Sequence, residues 1–77
     1  MYPEAVSEIL VFKTNIERDD DLAKVASVIK NESRIRHWNV DRDDIDHVLR
    51  VEAARIEATD VISMVHEAGF ECEELPD

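Results

Sequence analysis

Residues 34–53, RIRHWNVDRDDIDHVLRVEA, decide the fold. Their first part alternates: Trp38 and Val40 share one side of an extended chain, and His37 and Asn39 share the other. Residues 41–46 then gather four aspartates around Arg42 and Ile45, the chemistry of a solvated turn. Residues 47–53 alternate again, with Leu49 and Val51 on the inward side. Two alternating runs joined by an acidic turn read as an antiparallel hairpin.

Upstream of the hairpin, Leu22, Val25, Ala26 and Ile29 follow the i, i+3, i+4, i+7 spacing of a helix with one buried face, over residues 20–31. Asp19 and Asp20 are its candidate N-caps, and three successive aspartates suit the positive end of the helix dipole. Before that helix, EILVFKT is apolar on both sides: Ile9 and Val11 point one way, Leu10 and Phe12 the other. A strand apolar on both faces belongs in the middle of a sheet.

Downstream, Val61, Ile62, Val65 and Ala68 form a second helical stripe, with Thr59 or a neighbour as cap. Gly69 suits a helix-ending position of positive φ. Residues 70–75 form a short last strand that Pro76 ends. The order is β-α-β-β-α-β. It predicts a ferredoxin-like α+β domain, a four-stranded antiparallel sheet with two helices on one face, over residues 7–75. Right-handed crossovers put the first strand beside the third and fourth. The expected core is Leu10, Phe12, Leu22, Val25, Ile29, Trp38, Val40, Leu49, Val51, Val61, Val65 and Phe70. Residues 1–6 are expected to be a flexible leader.

The chain has 77 residues and a formal net charge of −10. That balance excludes a nucleic-acid binder, which needs a basic stripe, and equally a protein held on an anionic membrane. The only cysteine, Cys72, has no partner within the chain. With no signal peptide and no apolar run long enough to span a membrane, this points to a reduced, cytoplasmic protein.

Each candidate chemical group has a plainer explanation beside it. Cys72 lies between Glu71 and Glu73, which raise a thiol pKa, so it reads as a packing residue rather than a nucleophile. Asp41, Asp43, Asp44 and Asp46 could gather a hard cation. However, the loop fails the calcium-hand pattern, because Asp46 stands where glycine is required. His37, His47 and His66 come from separate elements and do not converge on a zinc site. Trp38 groups with the core. The open sheet face is more suggestive: Ile9, Val11 and Val48 form a small apolar patch, with His37, Asn39 and Arg50 around it. Apolar patches with polar rims mark partner contacts.

Order, length and landmarks together resemble the heavy-metal-associated domain family of copper chaperones and copper-pump N-termini. The likeness rests on VISMVHEAGFECEEL, which is similar to that family's second helix, Ala-Gly-aromatic turn and last strand, and on the spacing of the hairpin WNVDRDDIDHVLRVE. The Lys-Thr-Asn loop and Trp-Asn-Val-Asp hairpin further resemble a divergent group of small bacterial members. The resemblance implies the fold. It also implies a site, Met-x-Cys-x-x-Cys in the first loop and start of the first helix, where two thiolates hold one soft ion such as Cu(I). Matching the helix places the methionine at Ile16 and the cysteines at Arg18 and Asp21. A guanidinium and a carboxylate do not replace a dithiolate, so the fold carries over and copper binding does not. Ile16 inherits the methionine's role as a plug into the core.

These readings favour a non-enzymatic binding module that has lost its dithiol, needs no cofactor, and meets a protein partner or a second copy in a weak homodimer. The alternative is a metal-handling protein that uses carboxylate and histidine ligands, or a thiol site shared across a dimer. Too few acid–base groups converge for catalysis.

Overall fold

The two-faced apolar run becomes β1 (Glu8–Thr14), and the remaining elements follow in the expected order: α1 (Asp19–Ile29), β2 (Ile35–Asp41), β3 (Val48–Ala53), α2 (Ala58–Glu67) and β4 (Cys72–Glu74). The computed structural model describes residues 7–76, and the leader expected over residues 1–6 lies outside them. The strands form one sheet in the order β2-β3-β1-β4, with every neighbouring pair antiparallel. β1 is therefore interior, as its composition requires, and β2 and β4 are the edges.

The pairing register sets the two faces. Phe12 lies opposite Leu49, and Leu10 opposite Val51. These residues face the helices. Val25, Ile29, Val61 and Val65 come down from α1 and α2 to meet them, and Ile16 and Ile56 close the cluster from loops. Each such aliphatic contributes roughly 1.5–3 kcal/mol by leaving water. Leu10, Leu22, Trp38, Val40 and Phe70, also expected in the core, pack against this cluster and are half-buried at its margin. Trp38 and Val40 stand on an edge strand, where no described residue covers their outer side.

Boundaries moved for identifiable reasons. α1 stops at Ile29 rather than residue 31, because the Glu32 N–H turns back to the Ile29 carbonyl at 2.8 Å. β3 begins at Val48, since His47 has φ +45° and leaves the extended region. β4 shrinks to three residues because Phe70 and Glu71 are already engaged. Gly69 takes φ +99°, its N–H reaching His66 O at 2.9 Å while Phe70 N–H reaches Val65 O at 3.1 Å. That paired arrangement is a Schellman ending, and it uses up the first residues of the expected strand.

β2 carries a bulge. Ile35 pairs with Ala53 and His37 with Glu52, so Arg36 is the extra residue. The bulge lets Ile35 and Trp38, three positions apart, both pack against the core.

Neither helix uses the expected cap. The N-caps are Arg18 and Glu57, not Asp19, Asp20 or Thr59. In both helices an aspartate three residues further on reaches back to the cap. Asp21 Oδ2 accepts the Arg18 N–H at 3.0 Å, and Asp60 Oδ2 accepts the Glu57 N–H at 3.1 Å. This is the reciprocal half of a capping box, with Asp in place of the usual Glu.

Candidate functional site

One end of the sheet gathers the β1–α1 loop, the β2–β3 turn and the α2–β4 loop. Thr14 fastens the first two. Its buried hydroxyl donates to the His47 carbonyl at 2.6 Å and accepts the Ile16 N–H at 3.2 Å. The Thr14 N–H also donates to Asp46 O at 3.0 Å. Asn15 fastens the third loop: its carbonyl oxygen accepts the Glu71 N–H at 2.9 Å and its amide donates to Glu71 Oε2 at 3.3 Å. Arg42 crosses from the hairpin turn to α1, with Nη1 2.8 Å from Asp19 Oδ1.

Within this end, Ile16 is fully buried, in the plugging position expected of it. Arg18 is exposed, while Asp21 is half-buried. Asp21 is partly covered because its carboxylate folds over the helix start, accepting the N–H groups of Glu17 at 3.1 Å and Arg18 at 3.0 Å. The bond from Arg18 N–H, above all, holds the Asp21 carboxyl below the usual carboxylate range. A carboxylate committed in this way is not aimed at an ion, and the guanidinium beside it repels a cation. The side chains at these positions do not fit a soft metal.

The chain is similar in fold to several solved structures. It superposes on the apo form of the HMA domain of the copper chaperone for superoxide dismutase with a TM-score of 0.77, covering 99% of this chain and 74% of that one at 10% identity. The N-terminal domain of ZntA in its apo form matches with a TM-score of 0.77 at 15% identity, covering 92% and 96%. A putative copper-ion-binding protein from Bacillus anthracis str. Ames matches with a TM-score of 0.75 at 11% identity, covering 91% and 100%. The fold is that of heavy-metal-associated domains. No protein-family model matches the sequence, and no curated protein does either. The likeness to heavy-metal-associated domains is therefore one of backbone and packing, with little of the sequence shared.

The four hairpin aspartates do not converge. Asp41 Oδ1 accepts the Asp43 N–H at 3.2 Å and Asp44 Oδ1 accepts the Asp46 N–H at 2.8 Å, so both carboxylates are building the turn. Asp46 lies 3.8 Å from the Lys13 ammonium. Among the described residues, no group of three or more His, Cys, Asp or Glu is arranged to hold a metal ion. His37 stands on the open face, His47 at the start of β3, and His66 on the exposed side of α2.

Cys72 pairs with Thr14 and faces the core, where it is buried. Burial pushes its thiol up to about 12. A thiol site shared between two copies needs an outward sulfur, and this one points inward.

The open face keeps most of the expected patch. Ile9 is 58% exposed and Val11 half-buried. His37, Asn39 and Arg50 are exposed, and with Ile9, Trp38 and Glu52 they line a shallow groove of about 350 Å³. Val48 does not belong to it. Expected on the surface, it is only 6% exposed and stands apart from the main core cluster, opposite Asp41 at the hairpin end. A second groove of about 450 Å³, absent from the sequence expectations, lies between α1 and β2 and is lined by Leu22, Ala23, Ala26, Trp38 and Val40. The small residues Ala23 and Ala26 next to a tryptophan were the available signal.

Proposed function

We propose that this chain is a non-enzymatic binding module on a scaffold of the metal-handling kind, and that it works through the open face of its sheet rather than through the loop at Arg18 and Asp21. The observation that carries this reading is the Asp21 carboxylate. It closes the β1–α1 loop by accepting two backbone N–H groups, leaving that loop no ligand to offer a soft ion. The open face, in contrast, presents Ile9 beside Arg50, His37 and Asn39, a combination suited to a protein surface. The partner is a protein, a second copy in a weak homodimer included. Neither nucleic acid nor a membrane is the partner, and no cofactor takes part. Among the described residues no helix is long and apolar enough to cross a membrane, which accords with a cytoplasmic place of work.

A second reading keeps metal handling, with a hard divalent ion at the acidic end. Its support is the acidic turn itself, four aspartates within residues 41–46, while the Arg42 guanidinium held by Asp19 counts against it. Titration with Cu(I), Zn²⁺ and Ca²⁺, followed by native mass spectrometry, separates the two. The binding-module reading expects no stoichiometric ion. One tightly held ion per chain, lost in Asp43→Ala or Asp44→Ala, replaces it with the second.

A further inference from the structure

We propose that the two edges of the sheet are complementary to each other, so that β4 of one copy adds to β2 of the next and copies join head to tail. This contact uses the edges and leaves the open face free, so it stands apart from the reading above.

Three observations carry it. The first is direction. All neighbouring strands are antiparallel in the order β2-β3-β1-β4, so β4 runs opposite to β2. A second copy that continues the sheet therefore presents an antiparallel neighbour, with its helices on the same side. The second is charge. β4 and its flanks carry Glu71, Glu73 and Glu74 with no cation, whereas residues 34–42 carry Arg34, Arg36 and Arg42 against Asp41 alone. Arg34 is engaged with Glu32 and Arg42 with Asp19, but among the described residues Arg36 has no ion-pair partner, and neither has Glu73 or Glu74. Lys13, which lies opposite Glu73, turns its ammonium to Asp46 instead. The third is facing. Glu74 pairs with the core-facing Phe12, so Glu73 points to the open face. Across the junction it arrives on the face that carries Arg50.

The same charges disfavour the symmetric alternatives. β4 against β4 brings glutamates to glutamates, and β2 against β2 brings the arginines of residues 34–42 to one another, where like charges across a strand pair destabilise. Only the mixed junction is complementary. It is heterologous, so it extends rather than closing at two copies. The net charge of −10 opposes it at long range and leaves it weak, with the close pairs surviving once salt screens the rest.

Sedimentation equilibrium across protein concentration, at about 0.15 M salt where the Debye length is ~8 Å, tests the proposal. The average mass is expected to climb past that of a dimer without a plateau. Arg36→Glu, and separately Glu73→Lys with Glu74→Lys, should each lower the association constant about threefold to tenfold, with unchanged circular dichroism. Mixing the two variants in equal amounts should restore association, because each supplies the edge the other lacks. Lys24→Glu, exposed on α1 away from both edges and from the open face, should change nothing. A monomer at every concentration overturns the proposal. So does a plateau at dimer, or association that ignores the edge variants. If Val11→Glu alone dissolves the assembly, the open face is the contact and the edges are not.

Discussion

The Thr14 hydroxyl lies 2.6 Å from the His47 carbonyl, joining the end of β1 to the end of the acidic turn. The same oxygen accepts the Ile16 N–H, so a single buried side chain sets both the hairpin end and the loop that carries Ile16. Thr14→Val keeps the shape and strands a part-buried carbonyl and a buried N–H. It should cost roughly 1–3 kcal/mol in urea unfolding, whereas Thr14→Ser retains the bonds. Equal stability of wild type and Thr14→Val would show that water replaces both partners.

Glu32 and Arg34 give the acid limb of stability a definite position. Side-chain hydrogen bonds from Arg34 lower the Glu32 carboxyl from its ordinary 4.5 to about 2. A carboxyl whose folded pKa is depressed contributes stability that is complete above the ordinary value and disappears as pH falls through the folded one. The loss attributable to Glu32 therefore falls between about pH 4.5 and about pH 2. Carboxyl NMR titration should find Glu32 protonating well below its ordinary 4.5, and Arg34→Met should return it to that range. A normal Glu32 titration in the unaltered protein contradicts this.

Cys72 should be inert in the folded state. Its thiol is buried and pushed up to about 12, so little thiolate exists near neutrality. Iodoacetamide at about pH 8, followed by mass spectrometry, should label the urea-unfolded chain fully and the native chain slowly. Rapid native labelling would mean that β4 detaches readily.

The β1–α1 loop should still accept a dithiol. Arg18→Cys with Asp21→Cys puts two thiols at the spacing that the fold resemblance implies, on a backbone held by the buried Ile16. One Cu(I) per chain is expected by native mass spectrometry, where the unaltered chain takes none. The double variant should also melt earlier, because α1 loses its Asp21 cap.

Much of the fold was legible because hydrophobic period and sheet parity are local properties. Ile9 and Leu10 fell on opposite faces as their alternation required, and the interior place of β1 followed from its two apolar sides. Less legible was whatever depends on a distant partner. The shortening of β4 depends on Asn15, which lies 56 residues before the Glu71 it binds. Val48 had the parity of a surface residue, and alternation cannot tell which end of a sheet face is covered. The caps were missed for another reason. Aspartates in a first turn look like N-caps themselves, while here the third one serves the arginine before them. Ile56 follows Arg55, whose φ of +61° turns the chain inward, and periodicity does not register a loop residue of that kind.

The bulge at Arg36 limits how far any strand can run along β2. Beyond it the ladder is out of step, so an incoming chain finds an uninterrupted edge only over residues 37–41, about 17 Å. A ruler of that length admits a strand as short as β4 and stops a longer one. It also denies the continuous, in-register stacking on which cross-β fibrils depend. An edge that is open to pairing is thereby reserved for short strands, at the cost of one inserted residue.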